Sequence, residues 1–360
     1  MAKILFVAAH RLNRSPSQRF RFEQYISYLE ENGFESDFSY LIEEKDDKRF
    51  YSPGNYFLKF SVLLRSYRKR NNSVRDIDKY DIVFIQREAF MTKSIKFEKA
   101  FSNSNAKVIF DFDDSIWISN VSEANKKLNF LKDPNKTLKI ISLSDMVFAG
   151  NQYLSDYASK YCNNVKIVPT TIDLKEYKRI PDFTTDRICI GWSGSVTTIQ
   201  HFEYAIPFLL KIKEKHKDRV CFSVIGDANY VNTQLDIKGI GWKFEDEVKE
   251  LSKFDIGIMP LPDDEWANGK CGLKGLQYMA LEIPTIMSPV GVNSEIISHG
   301  ENGFLATIVE EWVTHISALI ESEELRKKMG VEARKTVKEK YSVESQKQNY
   351  LNYFNEVLKS

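Results

Sequence analysis

A chain of 360 residues, of which 42% are hydrophobic and 28% are charged, is long enough for two domains with separate cores. Its 51 lysines and arginines nearly balance its 50 aspartates and glutamates, so no overall positive field favours nucleic acid as a partner. No apolar run approaches the ~18 residues that span a bilayer, and four scattered cysteines without a CxxC pair favour reduced thiols over disulfides or zinc.

The chain begins with three residues that lack the layout of a signal peptide, so we expect a cytoplasmic protein. A continuous apolar run follows at residues 3–9 and predicts a parallel strand that is covered on both faces. Apolar residues then recur at helical spacing between residues 22 and 29, and Gly33 predicts the end of that helix.

A polar, basic loop connects this strand to this helix. Ligands of such βα units bind outside the carboxyl ends of the strands, and Arg14, Ser15 and Arg19 follow the strand at that point. The loop therefore predicts a ligand contact, although a solvated basic loop has the same pattern.

Residues 41–79 have the weakest secondary-structure pattern of the chain. Within them, residues 56–70 combine aromatic residues, leucines and a basic end. Such a segment is typical of a helix that lies on an anionic membrane surface. It is also typical of a core helix whose cationic end complements the helix dipole, which is the interpretation that we favour.

Two further strands are predicted at residues 81–86 and 107–112, and the second one ends in a group of carboxylates: Asp111, Asp113 and Asp114. An Asp-x-Asp pattern at a strand end can hold a hard divalent cation through its oxygens. The same residues can supply a general base or contact a hydroxyl of an acceptor.

The polar stretch 174–187 has no clear period and predicts a linker, so we expect a domain boundary near residue 180.

After this boundary the βα pattern begins again. The first strand ends in a turn at Gly194 and Ser195, and a later strand ends at Gly226, ahead of Trp242. Small residues at such turns let the backbone approach a phosphate.

The most informative stretch lies between residues 254 and 286. A buried strand is followed by a turn with Gly272, and helical apolar spacing then continues until Pro284 stops it. A strand, a glycine turn and a helix start form a common phosphate site, to which Lys270 and Lys274 would add two cations. An ordinary strand–loop–helix unit with solvated lysines has the same pattern.

This stretch resembles the donor-binding signature of the group 1 glycosyltransferases, which are nucleotide-sugar enzymes of the GT-B fold. The signature contains a Glu-Gly-Phe-Gly turn, an apolar helix, a second glutamate before Ala-Met-Ala, and a Pro-Val-Val strand. The residues in register with it are Gly272, Leu276, Met279, Ala280 and Pro284. Gly269 and Gln277 stand where its glutamates are expected. The Lys-Cys-Gly and Gln-Tyr-Met-Ala variant resembles a bacterial envelope-polysaccharide branch of the family.

The resemblance implies an α/β protein with two Rossmann-like domains that face each other across a cleft. We expect residues 1–180 to form the acceptor-side domain, residues 181–340 the nucleotide-sugar domain, and residues 341–360 a terminal helix that crosses back to the first domain.

The resemblance also implies roles for the residues described above. GT-B enzymes usually need no bound metal, so we interpret Asp113 and Asp114 as catalytic carboxylates of the cleft rather than metal ligands, and we expect no cofactor. Arg14, Ser15 and Arg19 are assigned to the acceptor side. The predicted donor-binding residues are Gly194, Ser195, Gly226, Trp242, Lys270, Gly272, Lys274 and Gln277.

The implied activity is transfer of a sugar from a nucleotide diphosphate to a hydroxyl of a glycan or lipid-linked acceptor, in the synthesis of cell-surface polysaccharide. The family retains the anomeric configuration of the sugar. Two alternatives stay open: a sugar-nucleotide epimerase of the same fold, and a non-catalytic nucleotide-sugar-binding subunit. Peripheral contact with the inner face of the membrane is a further hypothesis. A dinucleotide-binding oxidoreductase is disfavoured because no Gly-x-Gly-x-x-Gly follows either opening strand.

Overall fold

The structure, a computed structural model, describes residues 1–52, 54–118, 133–180 and 186–360. The chain divides into two compact units, of which the first comprises Met1–Pro169 with Lys347–Ser360 and the second comprises Thr170–Gln346. This division falls earlier in the chain than residue 180. Residues 181–185 of the predicted linker lie outside the described residues.

The first unit contains a six-stranded sheet in which every neighbouring pair of strands is parallel. Its strands are β1 (Ala2–His10), β2 (Phe34–Ile42), β3 (Ile82–Gln86), β4 (Lys107–Phe112), β5 (Met146–Ala149) and β6 (Val165–Ile167). Their spatial order is β2-β1-β3-β4-β5-β6. The apolar runs that predict β1, β3 and β4 are fully or mostly buried, as expected for parallel strands covered on both faces.

Helices cover the sheet of the first unit. They are α1 (Pro16–Arg19), α2 (Ile26–Glu31), α3 (Glu44–Tyr51), α4 (Tyr56–Arg75), α5 (Lys96–Ser102), α6 (Lys136–Ile141) and α7 (Gln152–Ala158), with 3-10 turns at Glu23–Tyr25 and Ile77–Lys79. Gly33 has φ +91° just beyond α2, which is the conformation that favours glycine after a helix.

The second unit contains a parallel six-stranded sheet and a small antiparallel hairpin. Its strands are β7 (Ile188–Ser193), β8 (Val220–Gly226), β9 (Val231–Asn232), β10 (Ile237–Lys238), β11 (Ile240–Gly241), β12 (Ile256–Met259), β13 (Thr285–Met287) and β14 (Phe304–Leu305). The sheet order β11-β8-β7-β12-β13-β14 is that of a dinucleotide-binding fold, and β9 and β10 form the hairpin.

The remaining helices follow in chain order. They are α8 (Ile199–Glu203), α9 (Ile206–His216), α10 (Glu247–Leu251), α11 (Glu265–Asn268), α12 (Leu273–Ala280), α13 (Asn293–Ile296), α14 (Val309–Glu321), α15 (Glu323–Lys340) and α16 (Val343–Val357), with a 3-10 turn at Lys217–Arg219. The core of the second unit lies between its sheet and helices such as α9 and α14, where Phe208 and Trp312 stack at 4.5 Å.

The end of α16 packs on the first unit. Tyr350 stacks on Tyr25 with ring centroids 4.2 Å apart, and Phe354 contacts Phe34, Phe84 and Phe148. These aromatic contacts explain why Lys347–Ser360 belongs to the first unit although it follows the second in sequence.

Helix α4 corrects the prediction of a core helix. Its buried residues are Lys59, Val62, Ser66 and Arg70, whereas Phe57 and Phe60 are 84% and 65% exposed. The sequence did not predict which face of the helix is buried, because apolar spacing alone does not show which side of a helix finds hydrogen-bond acceptors in the core. Among the described residues, no helix is both long and apolar enough to cross a bilayer.

Candidate functional site

The strand order of the second unit reverses at β7, which lies between β8 and β12. Ligands of such sheets bind outside the carboxyl ends of the strands at this point. We call this region the second-unit site; it comprises the residues that follow β7, β8 and β12 and the start of α12.

Gly194 and Gly226 meet where β7 and β8 end. A Cβ atom on Gly226, which has φ +137°, would lie 2.6 Å from the carbonyl oxygen of Gly194. A Cβ atom on Gly194 would lie 2.1 Å from the ring of Trp192. A glycine at 226 is therefore required for the two turns to pack against each other, and a glycine at 194 is required for its own turn to pass the Trp192 ring.

Ser195 follows in the same turn and is exposed. Its backbone N–H donates to the Thr198 hydroxyl at 2.9 Å, and its own hydroxyl lies 3.0 Å from that of Thr197. Because this N–H already has an acceptor, a phosphate would have to replace Thr198 to bind it.

Helix α12 begins at Leu273, as predicted, and Gly272 is its N-cap with φ +69°. A Cβ atom on Gly272 would lie 2.3 Å from Ile296 Cδ1. In the described part of the chain, no side chain caps this helix start. Because the N-cap residue has no side chain to accept from the first N–H groups, and because the helix dipole is positive at this end, the start of α12 is a chemically suitable place for an anion.

Lys270 and Lys274 flank the start of α12. Lys270 Nζ lies 5.0 Å from the centroid of the Trp266 ring, and Lys274 Nζ donates to Gln277 Oε1 at 3.2 Å. Both side chains are half-buried rather than fully solvated. The structure thus brings both predicted cations to the same helix start.

Gln277 belongs to a hydrogen-bonded network in the interior of the second unit. Its Nε2 donates to the Tyr177 hydroxyl at 2.6 Å, and that hydroxyl donates to Glu247 Oε2 at 2.6 Å. The indole N–H of Trp242 donates to Glu247 Oε1 at 2.8 Å. Gln277 and Tyr177 are 0% and 1% exposed, and Glu247 is 5% exposed. The network connects Trp242, after β11, to Lys274 on α12.

Sequence reasoning missed Tyr177 and Glu247. Tyr177 stands in the stretch that predicts a linker, and Glu247 stands in a polar segment with several other acidic residues. Neither position carries a sequence signal that distinguishes it from a solvated residue, because both are buried only by long-range contacts.

A second contact fixes α12 to the end of β7. The backbone N–H of Ser193 donates to the Tyr278 hydroxyl at 2.7 Å, and the ring of Tyr278 is fully buried. Burial raises the pKa of Tyr278 well above its ordinary value, so it stays a neutral hydroxyl.

The first unit has its own group of charged residues at the carboxyl ends of its strands. Arg87 follows β3 and donates through Nε and Nη2 to Asp113 Oδ1 at 2.9 and 2.7 Å, and it also pairs with Asp114. The Ser17 hydroxyl donates to the same Asp113 oxygen at 2.7 Å. Burial lowers the pKa of Arg87, but the two carboxylates outweigh it and raise that pKa.

Arg87, which sequence reasoning also missed, has φ +63° at the end of β3. Nothing in the sequence marks it as a partner of Asp113, since the two are brought together only by the pairing of β3 with β4.

Asp111 is fully buried and separate from this group. Arg21 donates to its Oδ1 through Nε and Nη2 at 3.1 and 2.5 Å, and both side chains are at most 1% exposed. Burial raises the pKa of Asp111, and Arg21 opposes that shift. Asp111 is therefore a structural carboxylate of the first unit.

The predicted acceptor-side residues have different environments. Arg14 forms a two-point ion pair with Asp47 of α3, which Arg11 also contacts. Ser15 is the N-cap residue of α1 and is half-buried. Arg19 is only 6% exposed, and its guanidinium lies over the Phe20 ring at 4.2 Å. The basic loop is therefore largely packed and ion-paired rather than solvated.

Part of the chain matches a known protein family in sequence. Residues 187–322, which lie in the second unit, match the family model described as "Glycosyl transferases group 1". No curated protein matches the chain in sequence.

Solved structures match nearly the whole chain at low identity. Sucrose-phosphate synthase from Thermosynechococcus elongatus has a TM-score of 0.70 at 12% identity, with 99% of both chains covered. A glycosyltransferase from Rickettsia africae ESF-5 has a TM-score of 0.69 at 17% identity, with 100% of this chain and 99% of that chain covered. HepE from Anabaena in complex with UDP-glucose has a TM-score of 0.67 at 13% identity, with coverages of 99% and 100%. These likenesses and the two parallel sheets confirm the predicted two-domain, Rossmann-like GT-B fold.

Proposed function

We propose that this protein is a glycosyltransferase that moves a sugar from a nucleoside diphosphate to a hydroxyl group of a glycan or lipid-linked acceptor. The observation that carries the proposal is the start of α12, where Gly272 leaves the helix uncapped by any described side chain and Lys270 and Lys274 lie beside it. This helix lies within the residues that match the group 1 family model.

The donor is assigned to the second unit. Its diphosphate would accept hydrogen bonds from the first backbone N–H groups of α12, and the two lysines would compensate its charge. As the glycosidic bond breaks, negative charge grows on the leaving diphosphate, so the same cations would stabilise the transition state more than the bound donor. The complex of HepE with UDP-glucose makes UDP and UDP-glucose the first probes to use.

The acceptor is assigned to the first unit, with Asp113 and Asp114 as the carboxylates nearest the acceptor hydroxyl. Arg87 forms an ion pair with each of these carboxylates, which holds both of them in position. Retention of configuration, a role in cell-surface polysaccharide and a cytoplasmic location follow from the resemblance stated above and are part of this proposal.

Calorimetric titration with UDP tests the donor site. Charge-assisted hydrogen bonds contribute about 1.5–3 kcal/mol, so Lys274→Ala is expected to weaken UDP binding roughly tenfold or more. Lys274→Arg should recover only part of the affinity, because its planar guanidinium differs from a point charge. Lys328→Ala, at an exposed lysine of α15, is the matched control and should bind UDP like the parent.

Two outcomes would change the assignment. Unchanged UDP binding by both Lys270→Ala and Lys274→Ala would place the phosphates elsewhere, and the Gly194 turn would become the better candidate. A protein that binds UDP-glucose but neither hydrolyses it nor transfers glucose to any acceptor would be a binding subunit. The observation that favours this alternative is Gln277, which stands where the family signature has a glutamate.

A further inference from the structure

Two of the four cysteines lie side by side in the sheet of the second unit. Cys189 on β7 and Cys221 on β8 are direct partners in the parallel register of these strands. Register partners on neighbouring strands project from the same face of a sheet. Neighbouring strands lie about 4.8 Å apart, which is within the Cα separation of about 4.4–6.8 Å that a disulfide bridges. The backbone therefore places two thiols that are distant in sequence where one bond can join them.

The surroundings of the pair make Cys221 the more reactive thiol. Its side chain is half-buried, whereas Cys189 is only 8% exposed. A hydrogen bond between the two thiols lowers the pKa of Cys221 and raises the pKa of Cys189. Arg187 also lowers the pKa of Cys221, while burial and Asp255 oppose this shift. Because the thiolate is the nucleophilic form of cysteine, a small oxidant in solvent reacts first at Cys221.

The side chains around the pair favour oxidation over metal binding. Both thiols are reduced in the structure. A structural zinc site takes four ligands, and no group of three or more histidine, cysteine or carboxylate side chains in the described part of the chain could hold a metal ion. The carboxylate of Asp255 accepts from the backbone N–H of Cys189 at 2.8 Å. Two-electron oxidation, by contrast, needs only the two sulfur atoms and an oxidant.

We propose that Cys189 and Cys221 are a reversible oxidation site, at which hydrogen peroxide converts the two thiols to a disulfide between β7 and β8. The pair lies near the amino ends of these strands, at the opposite end from Gly194 and Gly226. The inference is therefore independent of the proposed transferase activity.

The reaction has two steps. The Cys221 thiolate attacks one oxygen of peroxide, the O–O bond breaks and hydroxide leaves, so that Cys221 becomes a sulfenic acid. The sulfur of Cys189 then attacks the sulfur of Cys221, the S–S bond forms and the S–O bond breaks. The sulfenic oxygen leaves as water with the proton of the Cys189 thiol, and the hydroxide takes up the proton that Cys221 had lost. Two thiols are oxidised by two electrons, and one peroxide is reduced to two waters.

Thiol counting on the native full chain tests this site. The protein is treated with hydrogen peroxide, the remaining thiols are alkylated with a maleimide, and the products are counted by intact mass spectrometry. The parent is expected to lose two of its four thiols, peptide mapping should find Cys189 linked to Cys221, and dithiothreitol should restore all four. The matched control is Cys162→Ser, which removes a half-buried thiol of the first unit and should still lose two thiols.

The variant Cys189→Ser separates the two steps, because it removes the thiol that attacks the sulfenic acid. Dimedone should then label Cys221 after peroxide treatment. The label at Cys221 should exceed that at Cys162 roughly fivefold or more, since burial raises the pKa of Cys162 and so lowers its thiolate fraction.

A parent that keeps all four thiols in peroxide would overturn the proposal, and so would thiol loss without a link between Cys189 and Cys221. A link that forms only in urea would also overturn it, because the native strand pairing would then not be its cause. Equal labelling of Cys162 and Cys221 in the Cys189→Ser variant would contradict the assignment of Cys221 as the thiol that reacts first.

Discussion

The buried network of the second unit makes a quantitative prediction for Tyr177→Phe. The tyrosine hydroxyl accepts from Gln277 Nε2 and donates to Glu247 Oε2, both at 2.6 Å. Phenylalanine keeps the ring, and it keeps the backbone carbonyl that accepts from Arg334 Nη1 at 2.9 Å. The substitution therefore removes the central atom of the network and little else.

The size of the effect follows from burial. Gln277 is 0% exposed and Glu247 is 5% exposed, so water does not readily replace the lost hydroxyl at either group. A buried polar group that loses its partner costs about 1–3 kcal/mol. Because Glu247 keeps the Trp242 indole on its other oxygen, we expect Tyr177→Phe to destabilise the second unit by about 2–4 kcal/mol in total.

Differential scanning calorimetry measures this loss. For a unit of roughly 150–250 residues, 1 kcal/mol changes the midpoint by about 2–4 °C, so the expected decrease in Tm is about 4–16 °C. Tyr204→Phe is the control, because its ring is 55% exposed and its hydroxyl can be solvated. A decrease in Tm no larger than that of the control would refute the view that this network stabilises the unit.

Two further predictions concern the strand ends. Gly226→Ala should destabilise the second unit by about 2–4 kcal/mol, since it combines a strained backbone with overlap on Gly194. In urea unfolding, its loss of unfolding free energy should exceed that of the control Gly300→Ala, where φ is +83° but a Cβ meets nothing within 4 Å. Sugar transfer should persist in EDTA, since Arg87 already occupies the carboxylates of Asp113 and Asp114; loss of activity that manganese restores would contradict this.

Local patterns in the sequence predict most of the sheet architecture. The apolar runs at residues 3–9 and 107–112 correspond to β1 and β4, because a strand buried on both faces has little freedom in composition. The start of α12 at Leu273 was predicted from the helical apolar spacing that begins there, and Gly272 was predicted to allow the preceding turn, where its φ is positive. β2 was not predicted, since its polar and aromatic residues resemble the irregular stretch that follows it.

Contacts between residues that are distant in sequence determine which face of α4 is buried. Such contacts also determine which residues pair in the Arg87–Asp113 group and in the Tyr177 network. Arg70 is buried because the carbonyl oxygens of Ala8, Ser39 and Ala89 converge on it, and the helix sequence does not contain that information. Arg87 meets Asp113 only because β3 pairs with β4. In each case a charged residue that looks solvated in the sequence finds acceptors supplied by another element.

Gln277 illustrates the same principle at the position where the family signature has a glutamate. Its amide donates to Tyr177, whose hydroxyl reaches Glu247, so a carboxylate already lies one hydroxyl away from residue 277. A glutamate at 277 would place two carboxylates around one hydroxyl in a buried site, and repulsion would force one of them to take up a proton. A neutral amide instead donates to Tyr177 and accepts from Lys274. The chain therefore has its buried acid of this region at Glu247, and the neutral amide of Gln277 completes the network without a second carboxylate.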